Sequence, residues 1–238
     1  MMDEMFQFVS KCDDEEVSMG IAPLPGVLNT LQTLASEYTT INTNGAATAP
    51  PSVACGLVTG NVEGIARRKM TALGIHATNA FTPLPEPQGG RVWDGVEDVR
   101  FLGGFGSDYC SGNVEDPARN YLDRGEQLAI CVRRCVELST TEPNSGSDRN
   151  DGDSDDQQQQ PYSSLDKVIH VGDAPADILA AKSYAFDHPH KPPGVCVSVV
   201  GVATGSYSVE ELRKLCGESV PGVWEPVVLE QGMGVGDE

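Results

Sequence analysis

The chain has 238 residues, room for one α/β domain with appendages, and carries a formal net charge of −19. That charge argues against a nucleic-acid backbone or an anionic membrane surface as main partner. A small phosphorylated metabolite, held by local donors, stays compatible with it. Aromatic residues make up only 6% of the chain, a deficit that several polar stretches account for. Seven cysteines without paired spacing suggest a reducing compartment. The opening "MMDEMFQFVSKCDDEE" has no basic start followed by an apolar run, and no stretch reaches the roughly 18–20 apolar residues of a membrane span. The chain therefore reads as soluble and cytoplasmic.

In chain order, "LPGVLNTLQTLASEY" (24–38) puts Leu24, Val27, Leu28, Leu31 and Leu34 on one helical face, with Pro25 in the first turn. A polar loop (39–52) precedes "VACGLVTGN" (53–61), which reads as a buried strand entering a turn. Asn61 is placed to cap the next helix, whose apolar side carries Val62, Ile65, Ala66, Met70 and Leu73. Arg67 and Arg68 are expected to face solvent, with the stem of Lys69 over the apolar face. Residues 77–100 read as an inserted loop, and "RFLGGFGSD" (100–108) as a short strand with a glycine-rich turn. A helix is expected over 123–138, opened by Arg124 and burying Leu128, Cys131, Val132 and Cys135. The acidic, Gln-tailed tract 139–164 cannot bury enough surface to fold and is expected to be disordered. "KVIHVGD" is a strand, a helix starts at Pro175, and 194–205 is another strand. Ser208 with Glu211 makes a capping box for a helix over 208–216, and "PVVLEQ" suits a last strand. Strands alternating with helices imply a parallel, doubly wound α/β sheet, whose ligands collect at the carboxyl ends of the strands.

Three strand ends carry candidate chemistry. Asp173 ends a strand and Asp177 sits one turn into the following helix, a spacing that lets two carboxylates share Mg²⁺. The same two residues also suit a helix cap and a first-turn acid. Thr59, Gly60 and Asn61 set a hydroxyl beside backbone N–H groups at a helix start, either a phosphate grip or ordinary punctuation of the chain. Arg124 could neutralise a phosphoryl group or be a solvated surface arginine. His188 and His190 in "DHPHKPP" fit an exposed turn better than a metal pair.

Taken in order, "LPGVLNTLQTLA", "GLVTGNVEGIARRKMTALGI", "GGFGSD", "DRGEQLAI", "VIHVGDAPADILAAKSYA" and "VGVATGSYSVEEL" resemble successive blocks of the haloacid dehalogenase-like phosphohydrolases, in particular their phosphoglycolate-phosphatase-like members. The resemblance covers most of residues 21–215. It implies a Rossmann-like core over 21–230 that contains the inserted loops and the acidic tract. Residues 1–20 would be a remnant of a helical cap and 231–238 a flexible tail. It further implies that Thr59 bonds the transferring phosphoryl group beside Gly60 and Asn61, and that Arg124 steadies its charge. Asp173 would bind Mg²⁺ with support from Asp177, and Ala174 stands where many relatives have Thr or Ser.

The family's nucleophile, the first Asp of an Asp-x-Asp-x-Thr motif, has no counterpart in this sequence. Without it covalent phosphoryl transfer lacks an attacking atom, and Mg²⁺ should bind weakly. The resemblance places that motif on the central strand, whose loss leaves either two unpaired edges or a direct pairing of the strands ending at Thr59 and Asp173. The expectation is thus a truncated, inactive hydrolase of small phosphate monoesters. The alternative is a non-catalytic relative that binds a phosphorylated ligand or a partner protein. No G-x-G-x-x-G turn follows any strand, which disfavours generic dinucleotide binding.

Overall fold

The computed structural model describes residues 2–37, 53–84, 101–112, 116–140, 165–204 and 206–230. The expected loop over 39–52, most of the 77–100 insertion, the acidic tract beyond Thr140 and the tail from 231 lie outside the described residues. The chain divides into two units, Met1–Cys131 and Val132–Glu238, each containing parallel strands.

In the first unit, helices α1 (Met2–Val9) and α2 (Asp14–Ser18) come first. α2 starts on a capping box in which Glu16 N–H donates to Asp13 Oδ1 at 2.8 Å and Asp13 N–H donates to Glu16 Oε2 at 3.0 Å. α3 (Val27–Glu37) keeps the expected amphipathic pattern but begins after Leu24 and Pro25, and none of its residues is buried. Strand β1 (Leu57–Thr59) is followed by α4 (Glu63–Ala72), which ends at Gly74, where a φ of 69° suits a residue without a Cβ.

The two arginines of α4 depart from expectation. Arg67 is buried, and Arg68 bonds the Asp14 carboxylate and, at 2.8 Å, the Cys12 carbonyl. A cationic pair read as a solvated face is instead covered, because α1 and α2 lie on α4.

Strand β2 (Gly103–Phe105) pairs in parallel with β1, Leu57 opposite Gly103 and Thr59 opposite Phe105. With three residues each, these strands bury little by themselves. The core beside them is aromatic: Phe101, Phe105 and Ala66 are buried, and Leu57, Met70 and Phe81 close around them. Phe81 stacks on Phe101 with ring centroids 4.9 Å apart. Helix α5 (Pro117–Thr140) starts in this unit and ends in the second; Leu128, Cys131, Val132 and Val136 are buried along it, and Cys135 is half-buried.

The second unit holds β3 (Lys167–Gly172), β4 (Cys196–Ala203) and β5 (Trp224–Glu230), parallel and in that spatial order. Lys167 lies opposite Cys196 and Gly172 opposite Gly201, while Val197 lies opposite Trp224 and Ala203 opposite Glu230. Helices α6 (Pro175–Phe186) and α7 (Val209–Cys216) pack on one face of this sheet. Between them and the strands Ile178, Ala181, Tyr184, Leu212, Val197, Val199 and Trp224 are fully buried. Trp224 also donates its indole N–H to the Cys216 carbonyl at 3.0 Å, so its one polar atom is satisfied. α7 has the expected cap: Glu211 N–H donates to Ser208 Oγ at 3.2 Å, and Ser208 N–H returns to Glu211 Oε2 at 2.8 Å. Pro226 lies within β5, which is an edge strand, where a residue without an N–H is tolerated.

The molecule is thus α/β with short parallel sheets. Among the described residues β1 pairs with β2 in one sheet, and β3, β4 and β5 form another. No helix among the described residues is long and apolar enough to cross a membrane.

Candidate phosphate and carboxylate sites

At the end of β1 the chain folds back on a threonine. Thr59 Oγ1 accepts from both the backbone N–H and the side-chain amide of Asn61, each at 3.2 Å. Asn61 therefore does not cap α4, as its position had suggested. The N-cap residue is Val62, which contributes no side-chain bond, and Glu63 N–H donates to Ser107 Oγ at 3.1 Å. Ser107 lies in the glycine-rich turn after β2, so one strand's loop caps the helix that follows the other strand. Sequence reasoning missed this residue; its signal is the Ser-Asp pair closing "GGFGSD".

The same two loops are stitched at backbone level. Gly106 N–H donates to the Asn61 carbonyl at 2.9 Å, and a Cβ at Gly106 would collide with the Gly60 carbonyl. Asp108 accepts from Phe105 N–H at 3.0 Å and closes the turn. The glycine is needed for close approach of the two chains.

Arg124 reaches this strand end from α5. Its Nη1 donates to the Val58 carbonyl at 3.1 Å, one residue before Thr59. Arg124 does not open a helix as expected. α5 begins at Pro117, preceded by Asp116, and Arg124 lies in its third turn. The longer helix carries the guanidinium from within a rigid element. Thr59, Gly60, Asn61 and Arg124 thus gather at one strand tip, and the Thr59 hydroxyl, while accepting twice, keeps its own proton to donate. A hydroxyl, backbone N–H groups and a guanidinium are a set that can hold a phosphoryl group.

The second cluster lies at the end of β3, in the other unit. Asp177 points back along its helix: Oδ2 accepts from Ala174 N–H at 3.3 Å, and Oδ1 is 3.7 Å from Nε2 of the buried His170. This is half of a capping box, since Ala174 is the N-cap and has no oxygen to return the bond. A Cβ at Gly172 would collide with the Asp177 side chain, which explains glycine at the strand end. Asp173 is exposed and accepts from the Thr204 hydroxyl, at the end of β4, at 2.8 Å. His170 and Thr204 are the neighbours that sequence reasoning missed. His170 falls on the helix-facing side of β3, a strand position that ordinarily holds an apolar residue.

Both carboxylates therefore have partners of their own. Among the described residues no group of three His, Cys, Asp or Glu side chains is disposed to hold a metal ion. A hard divalent cation takes six or more oxygens, and Asp173 with Asp177 alone does not fill that requirement. His188 and His190 belong to the turn after α6: His190 N–H donates to His188 Nδ1 at 3.2 Å, and the His188 ring lies 5.1 Å from that of Tyr184.

No family model matches the chain, and no curated protein or solved structure matches it.

Proposed function

We propose that this chain binds a small phosphate monoester at the tip of β1, as a haloacid dehalogenase-like polypeptide of the phosphatase type that lacks its attacking carboxylate. The observation that carries the reading is the convergence of the Thr59 hydroxyl, the turn through Gly60 and Asn61, and the Arg124 guanidinium on one strand end. The Thr59 hydroxyl, oriented by the two Asn61 donors, would donate to a phosphoryl oxygen, Arg124 would offset its charge, and the Gly60 N–H would complete the hold. A polypeptide that also carried an Asp-x-Asp-x-Thr strand would be a Mg²⁺-dependent hydrolase of phosphoglycolate-like monoesters, with Asp173 and Asp177 on its metal.

The second reading, a non-catalytic binder of a phosphorylated ligand or a partner protein, is favoured by the partners Asp173 and Asp177 already have. The test separates binding from turnover. Titration of the purified chain with phosphoglycolate, followed by ³¹P line broadening, is expected to show saturable binding that Thr59→Val weakens at least tenfold. Absence of saturable binding by the folded wild-type chain overturns the proposal. Hydrolysis of p-nitrophenyl phosphate with Mg²⁺ is expected to stay at background. A robust rate abolished by Asp173→Asn would show that the chain has an attacking group after all. Genomic sequence upstream that encodes an in-frame apolar strand ending in Asp-x-Asp-x-Thr would favour the hydrolase over the binder.

A further inference from the structure

Helices α1 and α2 lie on α4, the helix that begins where the turn through Thr59, Gly60 and Asn61 ends. Val62, the N-cap of α4, follows Asn61 directly; with Ile65 it is buried in a small apolar cluster against which Val9 of α1 packs. One turn further along α4, Arg68 bonds the Asp14 carboxylate and, at 2.8 Å, the Cys12 carbonyl. Asp13, the N-cap of α2, stands between those two acceptors, so the guanidinium spans the start of that helix. An apolar tie at the first turn of α4 and a charged tie at its second thus hold the N-terminal helices.

Neither short helix can sustain itself. α1 has eight residues and α2 five, well under the about 12–15 that an isolated helix needs, and no residue of α2 is buried. Their order therefore depends on docking against α4. The dependence also runs the other way. Release of the pair would open the Val62–Ile65 cluster to water, directly behind the turn in which Asn61 donates twice to the Thr59 hydroxyl.

We propose that residues 2–18 form a strap, latched by Arg68, whose docking on α4 and the binding of a phosphate monoester at the β1 tip favour each other. The proposal rests on the phosphate reading of that tip. The shared element is the first turn of α4: the docked strap covers Val62, Val62 fixes the position of Asn61, and Asn61 orients the Thr59 hydroxyl. A ligand held by Thr59 restrains the same turn from the other side, and a coupling of this kind acts equally in both directions.

The experiment is hydrogen exchange of the full chain with and without phosphoglycolate, run beside the ³¹P titration. Saturating phosphoglycolate is expected to slow exchange of the amides in residues 2–18 at least threefold. Asp14→Ala cuts the latch at an exposed carboxylate remote in sequence from the ligand turn. It is expected to speed exchange in residues 2–18 while β1 and β2 keep their protection, and to weaken phosphoglycolate binding at least threefold. The lost negative charge would by itself favour the anion, so weaker binding cannot come from charge. Val9→Ser, at the other tie, is expected to act in the same direction. Three outcomes overturn the strap and leave the phosphate site standing: saturable binding with unchanged exchange in residues 2–18, exchange there that neither variant speeds, or full affinity in a variant whose strap exchanges freely. A folded wild-type chain without saturable binding overturns the phosphate site itself, and the strap with it.

Discussion

The two parallel sheets rest on different kinds of core. β1 and β2 have three residues each, and the buried mass beside them comes from Phe105 at the end of β2 and from Phe101, which lies outside the strands. β3, β4 and β5 form ladders of six and seven residue pairs, and the strands themselves supply Val197, Val199 and Trp224 to the interior. In the first unit the strands position a loop more than they build a core; in the second they do both. The difference shows why Thr59, Asn61 and Arg124 gather where two loops cross and not along a sheet face: short strands leave the loops to lock each other, through Gly106 and Ser107.

The sharpest way to break this contrast is Trp224→Ala. It removes a fully buried indole and leaves the Cys216 carbonyl without its donor, so a loss of about 3–5 kcal/mol is expected in chemical denaturation. Hydrogen exchange should then lose protection over β4 and β5 while β1 and β2 keep theirs. Equal loss in all five strands would mean that the two units unfold as one.

Phe105→Ala is the counterpart in the first unit. It is expected to cost about 3 kcal/mol, the low end for such a truncation, because the paired residues of β1 are only half-buried and the gap can partly close. A cost well above that of Trp224→Ala would reverse the comparison. Ser208→Ala should cost about 1 kcal/mol by removing the hydroxyl that caps α7, and a melting curve indistinguishable from wild type would show that the box contributes nothing.

The smallest effect concerns the Lys167–Glu225 pair. Its hydrogen bond holds the Glu225 carboxyl below the usual carboxylate range and the Lys167 ammonium above the usual lysine range. Glu225 therefore adds stability above about pH 4.3, and the gain fades as pH falls through its lowered folded value. Lys167 adds stability below about pH 10.4, lost as pH rises through its raised folded value. Glu225→Gln should lower the melting temperature slightly at pH 7, by an amount that shrinks as the solution is acidified. A difference that does not shrink on acidification would assign the effect to shape and not to charge.

What could be read from the sequence follows the range of the forces involved. The Ser208–Glu211 cap and the run from "KVIHVGD" into a helix at Pro175 depend on residues a few positions apart, and the structure has both. Asn61 and Arg124 were read by the same local logic and came out differently, because their partners are set elsewhere. Ser107, on another strand's loop, supplies the cap that Asn61 does not, and Asp116 and Pro117 start the helix that Arg124 was expected to open. Arg67 and Arg68 were misread because charge alone does not reveal that a helix from residues 14–18 will lie across them. Thr204 beside Asp173 depends on the pairing of β4 with β3, which strand pattern suggests without fixing the register.

Pro226 has a consequence for how the second sheet can grow. A strand approaching from beyond β5 meets a residue that has no N–H to give, which discourages extension on that flank. Among the described residues β3 has no such guard on its far side, and its alternate residues Ile169 and Val171 are apolar and exposed. Self-templated accretion of strands on this sheet in concentrated solution is therefore expected to start from the β3 flank, and a lysine introduced at position 169 would be the economical safeguard against it.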